Sequence, residues 1–443
     1  MASELPPPPG LQAFRALVRE WPVDRLTEYL IGLFRRRQIR GPKSCALATA
    51  WLLRKVVSTT KPNEPSRMIY KVQETGRKLI DAAPLELSVA NIVRRVLGAI
   101  REESENRDNE TPGSSEFGSI PPTPGIELAN PSLSTPTRRQ EISQRPALLS
   151  QQTQTARPVM TSMFSIMQHP TMRGQADAMS PRSNSPTSMA TSQILQPQSD
   201  LRAEVLEAIV EIIDELDQAD DIVAGYALEH IIPQETILTY GTSSVLQRFL
   251  LKAASKRKFT LIQAEAYPNI HQKTYATTVG QSTSDDQDLD TEDFAKPLTA
   301  QGITVILVPD SAIFAVMSRV NKVLISATAV LSNGSLVAPA GTNPLLTAAH
   351  HYRVPVICLA ESYKLSPVYP YDPFEFTDYG DTQQVIPYQD RELMLGLSGV
   401  RNPTQEWVGP DKVGVFVTNL GAVAAGDMYR TIRQQYHAED LEL

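Results

Sequence analysis

Hydroxyl groups gathered at a strand-to-helix turn are the first candidates for chemistry in this chain. The turn reads Tyr240-Gly241-Thr242-Ser243-Ser244. Hydroxyls and backbone N–H groups at a helix start can hold a phosphate. The spacing matches neither the P-loop nor G-x-G-x-x-G, and helix capping with turn formation accounts for the same residues equally well. A second candidate lies within Ala312–Thr342. A helix pattern (Ala312–Arg319) runs there into an apolar strand (Val323–Ala327). The loop beyond turns on Asn333-Gly334 and ends at Gly341-Thr342. Ligands of parallel α/β sheets meet the chain just past the C-terminal ends of strands, so this loop is where a site is expected.

Other reactive residues point to structure. Adjacent His350 and His351 project to different faces of a helix, and no Cys/His set accompanies them, so no metal is expected. Cys358 sits inside a strand as a small hydrophobe. Arg35-Arg36-Arg37 and Lys256-Arg257-Lys258 end helices, where cations suit the dipole. With a net charge of -7, direct nucleic-acid binding is not expected. Ser282–Asp293 is acidic but lacks the Gly and terminal Glu of an EF-hand loop, and reads as a solvated insertion near residues 280–296. No Ser/His/Asp order, G-x-S-x-G elbow or cofactor fingerprint is present.

The elements that must position these residues fall into three stretches. Residues 1–103 read as a helical domain. Asp24 is a candidate cap for its second helix, Gly41-Pro42 ends that helix, and Ser88 is a candidate cap for the last, Ser88–Glu103. That last helix carries Val89, Ile92, Val93, Val96, Leu97 and Ile100 as one apolar stripe. Residues 104–199 are dominated by Ser, Thr, Pro and Gln and read as a disordered linker, with Ser180-Pro181 and Ser185-Pro186 as candidate phosphosites. Residues 200–443 read as a Rossmann-like α/β domain. Helices are expected at 201–216 and Ile222–Ile231. Strands are expected at Thr236–Thr239, Thr260–Gln263, Ile303–Val308, Val323–Ala327, Val354–Leu359 and Val413–Thr418, with helices between them and a last helix after Gly421. Short strands apolar on both faces indicate a doubly wound parallel sheet. Two cysteines in 443 residues argue against a disulfide framework and fit a reducing compartment. No signal-peptide layout and no apolar run of about 20 residues is visible, so a soluble, cytoplasmic protein is expected.

Several segments carry a resemblance. Ala312–Val323 (A-I-F-A-V-M-S-R-V-N-K-V) resembles the beta branch of the alpha/beta/delta regulatory subunits of eukaryotic translation initiation factor 2B. So do Ser88–Leu97 (S-V-A-N-I-V-R-R-V-L), Ala227–Ile231 (A-L-E-H-I), Lys256–Phe259 (K-R-K-F), Lys364–Pro367 (K-L-S-P) and Tyr436-His437. The resemblance covers both folded regions and leaves out the linker and the acidic insertion. It implies a regulatory subunit, without cofactor, of the guanine-nucleotide exchange factor for initiation factor 2. That complex is restrained when its substrate is phosphorylated on the alpha subunit. The implied partners are the delta subunit, paired through the α/β domain, and the alpha, gamma and epsilon subunits. Initiation factor 2 itself is another, its alpha subunit facing the helical domain.

The wider superfamily holds methylthioribose-phosphate and ribose-bisphosphate isomerases. Their catalytic Cys ends the first strand and their catalytic Asp ends a later one. The matching segments here are Thr239-Tyr240-Gly241-Thr242 and Ser326-Ala327-Thr328. The resemblance therefore puts Gly241 at the Cys position and Thr328 at the Asp position, and neither can do acid–base work at neutral pH. A pocket around Gly241, Thr242, Ser243, Thr328, Asn333 and Gly334 is expected to be vestigial. A sugar-phosphate isomerase and a metabolite-sensing module remain the alternatives.

Overall fold

The computed structural model is described for residues 10–62, 64–110, 200–265, 291–382, 385 and 399–443. The linker phosphosites and most of the acidic insertion lie outside these residues. Contacts divide the chain into two units, Met1–Gly113 with Pro197–Leu443, and Ser114–Gln196. All described residues lie in the first.

Five helices open the chain: α1 (Leu11–Glu20), α2 (Val23–Arg35), α3 (Pro42–Thr59), α4 (Pro65–Ala82) and α5 (Leu87–Glu110). Pro22, not Asp24, occupies the N-cap of α2, and Asp24 falls in its first turn. Pro suits this boundary because its missing N–H has no partner there to lose. Gly41-Pro42 starts α3 rather than ending α2: Gly41 takes φ 83° and Pro42 is the first helical residue. Ser88 lies inside the first turn of α5, and that helix continues seven residues past Glu103 to Glu110. Helix α6 (Leu201–Gly225) is capped by the Asp200 carboxylate, which accepts from the Arg202 N–H at 3.2 Å. It is continuous where two helices are expected, and the short α7 (Ala227–His230) follows one residue later. Helix α6 shares a core with α3 and α5 through Val205, Ile209, Leu216, Leu53, Val96 and Ile100.

The main sheet has seven strands in the order β11-β10-β7-β4-β1-β2-β3. These are β1 (Thr236–Tyr240), β2 (Thr260–Glu265), β3 (Thr304–Pro309), β4 (Lys322–Ser326), β7 (Val356–Leu359), β10 (Val415–Thr418) and β11 (Gly421–Ala424). The first six pair in parallel, matching the expected strands within a few residues. Successive residues alternate between two cores, as the two-residue strand period requires. Leu238, Val323, Ile325, Cys358 and Phe416 enter one core, and Ile237, Leu324, Ile357, Leu359 and Val417 the other. Helices α8 (Ser244–Ala254), α9 (Thr291–Ala300), α10 (Ile313–Met317), α11 (Thr342–Tyr352) and α12 (Met428–Gln435) connect or follow the strands.

Two further features depart from the sequence expectation. Residues Gly421–Ala424 form a strand, antiparallel to β10, before α12 begins. The Thr418 hydroxyl donates to the Gly421 carbonyl at 2.9 Å, and Gly421 takes φ 119°, closing a tight hairpin. A second sheet, order β5-β6-β9-β8, is formed by Ala329–Val330, Leu336–Pro339, Pro403–Val408 and Asp378–Tyr379.

Candidate functional site

The order of the parallel strands reverses between β1 and β4, which makes their C-terminal ends the switch point where a ligand is expected. Gly241 follows β1 in a left-handed conformation, φ 69°. Ser243 is the N-cap of α8, and its hydroxyl donates to the Ser326 hydroxyl at the end of β4, 3.2 Å away. The two sides of the crevice are thus joined by a side-chain bond. Thr242 is half-buried beside them. Thr328 is half-buried too, and its N–H donates to the Val337 carbonyl at 2.8 Å, tying it to the second sheet.

Asn333 and Gly334 lie on the second sheet. They form the turn between β5 and β6, where Asn333 Oδ1 accepts from the Ser335 N–H at 3.0 Å and hydroxyl at 2.6 Å. Gly334 takes φ 81°, and a Cβ there would lie 3.0 Å from the Ala425 carbonyl oxygen and 3.7 Å from Pro410. The turn's neighbours are therefore Ala425 and Pro410, and its polar atoms serve the turn itself.

Tyr240, at the head of the candidate turn, and Glu406, which the sequence reading did not single out, do the most to close this region. The Tyr240 hydroxyl donates to the Ala340 carbonyl at 2.6 Å. A Cβ on Gly341, which has φ 101°, would fall 1.8 Å from that hydroxyl oxygen. Burial, helped by Asp310 and Glu406, pushes the Tyr240 hydroxyl well above the ordinary range, so it stays a neutral donor. Glu406 Oε1 accepts from the N–H groups of Gly341 (2.9 Å) and Asn343 (2.6 Å). The N-terminus of α11, a natural anion seat, is therefore filled by the chain's own carboxylate. Burial raises the Glu406 pKa against the lowering effect of those N–H donors and Lys412. Lys412 reaches over the same helix to Asn343 and, at 2.9 Å, to Thr347. The arrangement supplies capping and packing, and both Glu406 and Lys412 are engaged with the helix they hold.

The remaining candidates settle into the scaffold. His350 and His351 occupy the last turn of α11. Burial pushes the Cys358 thiol up to about 12, far from a reactive thiolate. Arg37 forms a two-pronged pair with Asp378, Lys258 donates to the Gln301 carbonyl at 2.6 Å, and Arg257 donates to Ile231. Among the described residues, no group of three or more His, Cys, Asp or Glu could hold a metal.

A polar junction joins the helices to the far side of the sheet. The Ser362 hydroxyl and the Asn419 amide donate to Glu215 at 2.7 and 2.9 Å, and Arg95 pairs with the same carboxylate. Burial would raise the Glu215 pKa, but Arg95, Ser362 and Asn419 outweigh it and hold the group below the ordinary carboxylate range. Beside it lie buried pairs of Lys43 with Asp220 (2.9 Å) and Lys364 with Glu361 (2.7 Å). Burial drives Glu361 upward, opposed by Lys364. Asn91 donates to the Tyr363 carbonyl at 2.9 Å. Segment Ser88–Leu97 thus meets the chain at Tyr363, the residue just before Lys364–Pro367.

A helical bundle set on a doubly wound sheet, with the switch point closed from within, defines the class of protein. The chain belongs to the initiation factor 2 subunit family, whose model matches residues 38–283 and 288–425. Translation initiation factor eIF2B subunit beta of Schizosaccharomyces pombe is 31% identical over 413 residues, spanning 93% of this chain and 95% of that protein. The tetrameric eIF2B-beta2-delta2 complex from C. thermophilum contains a chain 28% identical to this one, with a TM-score of 0.61, over 97% of this chain and 100% of that chain. Ribose 1,5-bisphosphate isomerase of Archaeoglobus fulgidus is 32% identical over 140 residues, covering 32% of this chain and 44% of that enzyme. Among the described residues, no helix is long and apolar enough to cross a membrane.

Proposed function

We propose that this chain is a regulatory, non-catalytic subunit of the cytosolic complex that exchanges GDP for GTP on translation initiation factor 2. The observation that carries this reading is similarity to an eIF2B beta subunit along 93% of the chain. The isomerase similarity covers 32% of it. The closed switch point supports the same reading. Gly241 and Thr328 stand where the resemblance to isomerases asks for Cys and Asp, and Glu406 occupies the helix end where a substrate anion would sit.

In this role the chain pairs with a delta-type subunit through its α/β part, as the tetrameric relative's composition suggests. Exposed Ile306, Leu307, Phe314, Leu420 and Tyr429 offer apolar surface there for a partner. The alpha, gamma and epsilon subunits complete the assembly, and the helical part faces the alpha subunit of initiation factor 2. Binding of phosphorylated substrate then favours one arrangement of the core over another and lowers exchange. The polar junction around Glu215 is suited to hold the helices and sheet in register during that coupling.

Co-expression tests the pairing. A stable assembly containing this chain and a delta-type subunit at equal stoichiometry is expected by mass measurement of the purified complex. Failure to associate at micromolar concentration contradicts it. Turnover of ribose 1,5-bisphosphate by the purified chain, abolished by Thr328→Val, would favour the isomerase reading instead.

A further inference from the structure

A cleft of about 260 Å³ lies between α4, α5 and the segment reaching Leu443, and it shares no lining residue with the switch-point crevice. Its apolar walls include Ile80, Pro84, Leu87, Ala90 and Val368. Arg94 also lines it and is only 6% exposed. The Arg94 Nε and Nη2 donate to the carbonyls of Asp440 and Leu441, each at 3.2 Å, and Nη1 has no hydrogen-bond partner. Both acceptors are neutral. The nearest carboxylate, Asp440, is committed to Arg101 through bonds of 3.0 and 3.1 Å. Arg94 is thus a buried guanidinium with a free donor and no carboxylate of its own. Burial lowers its pKa, opposed by Tyr436 and Asp440.

A buried charge without a counter-ion is costly, and an unpaired buried donor adds about 1–3 kcal/mol. An oxyanion beside Arg94 supplies the missing counter-charge. A second cation, exposed Arg77, lines the same cleft from α4 and makes no bond or ion pair among the described residues. Two side-chain carboxylates also line it. Glu86 already accepts from the Gly41 N–H at 3.2 Å, and Asp81 is exposed. The volume sits just below the range of about 300–1,000 Å³ typical of ligand pockets, which limits the occupant to a small molecule.

We propose that this cleft binds a small organic anion, a carboxylate or phosphate on an apolar skeleton. Its oxyanion pairs with Arg94, its carbon frame rests on Ile80, Leu87 and Val368, and Arg77 adds attraction from the solvent side. The site is independent of the exchange-factor reading and of the vestigial crevice.

Calorimetry on the full chain with phenyl phosphate and with benzoate tests it. Replacing Arg94 risks misfolding, so the variants are Ala90→Phe, which fills the cleft, and the exposed Arg77→Ala and Arg77→Lys. Saturable binding of either probe is expected, weakened at least tenfold by A90F and several-fold by R77A but kept by R77K. Binding of phenyl phosphate alone assigns a phosphate ligand, and of benzoate alone a carboxylate. No saturable binding of either probe, or binding unchanged in A90F, overturns the proposal.

Discussion

The Tyr240 hydroxyl occupies the space that a side chain on Gly341 would need, 1.8 Å from the position of its Cβ. Tyr240 ends the strand before the switch point and Gly341 is the N-cap of the helix across from it. The pair therefore closes the region from within, and each residue depends on the other.

Gly341→Ala meets both that clash and φ 101°, so it is expected to destabilise the fold by about 2–4 kcal/mol. Tyr240→Phe leaves the Ala340 carbonyl without its 2.6 Å donor and is expected to cost about 1–2 kcal/mol. Urea unfolding measures both. Tyr240→Ala combined with G341A should lose less than the sum of the two single losses, because the clash is gone.

Helices α4 and α5 touch at Gly76, where a Cβ would lie 2.6 Å from Val93 Cγ1. Gly76→Ala is expected to cost about 1–3 kcal/mol through overpacking, since no left-handed φ is involved. Val93→Ala opens the space, so the double variant should lose less than the sum of the two single losses. Additive losses in denaturant unfolding would show that the helices do not meet there.

How much of this was legible in the sequence depends on how local each signal is. The six parallel strands announce themselves as short apolar runs, because each is covered on both faces. The second sheet does not. Ala329–Val330 is two residues long, and Leu336 finds its partner at Val408, 72 positions away. No periodicity spans that distance. The same separation hides the Glu406 cap, since a carboxylate on an unforeseen antiparallel strand carries no mark of the helix it serves. The alanine-rich run after Gly421 favours helix by composition, and only the hairpin with β10 makes its first four residues a strand. In the candidate site, the placement of Gly241 and Ser243 followed from the strand-to-helix turn. The setting of Asn333 and Gly334 between two strands of the second sheet depended on a hairpin the sequence did not reveal.

Glu215 gives the polar junction a pH signature. Its pKa is held below the unfolded value by Arg95, Ser362 and Asn419, against burial. The stability it contributes is therefore present above the unfolded carboxylate pKa and is lost as pH falls through the lower folded value. Glu215→Gln is expected to cost about 2 kcal/mol at pH 7. The gap between wild type and variant should narrow as pH falls below 4, a trend thermal unfolding across pH 3–7 would follow. A gap that widens on acidification contradicts this assignment.

Asp440 is fully buried and meets Arg101 of α5 through two oxygens, at 3.0 and 3.1 Å. Asp440→Asn leaves a partly buried guanidinium with only the exposed Glu439 as charge partner and is expected to cost about 3 kcal/mol. Hydrogen exchange should speed most along α5, between Leu87 and Arg101, while β1 and β4 keep their protection. Glu439 pairs with the same Arg101 but is exposed, so Glu439→Gln should change unfolding by less than about 0.5 kcal/mol.

The chain is proposed to regulate nucleotide exchange without catalysing a reaction of its own. GDP release from initiation factor 2 should be measured with the reconstituted complex, with and without this chain, using unphosphorylated and alpha-phosphorylated substrate. The account predicts that omitting the chain abolishes the difference between the two substrates. Exchange that stays equally sensitive to phosphorylation without it would contradict the account.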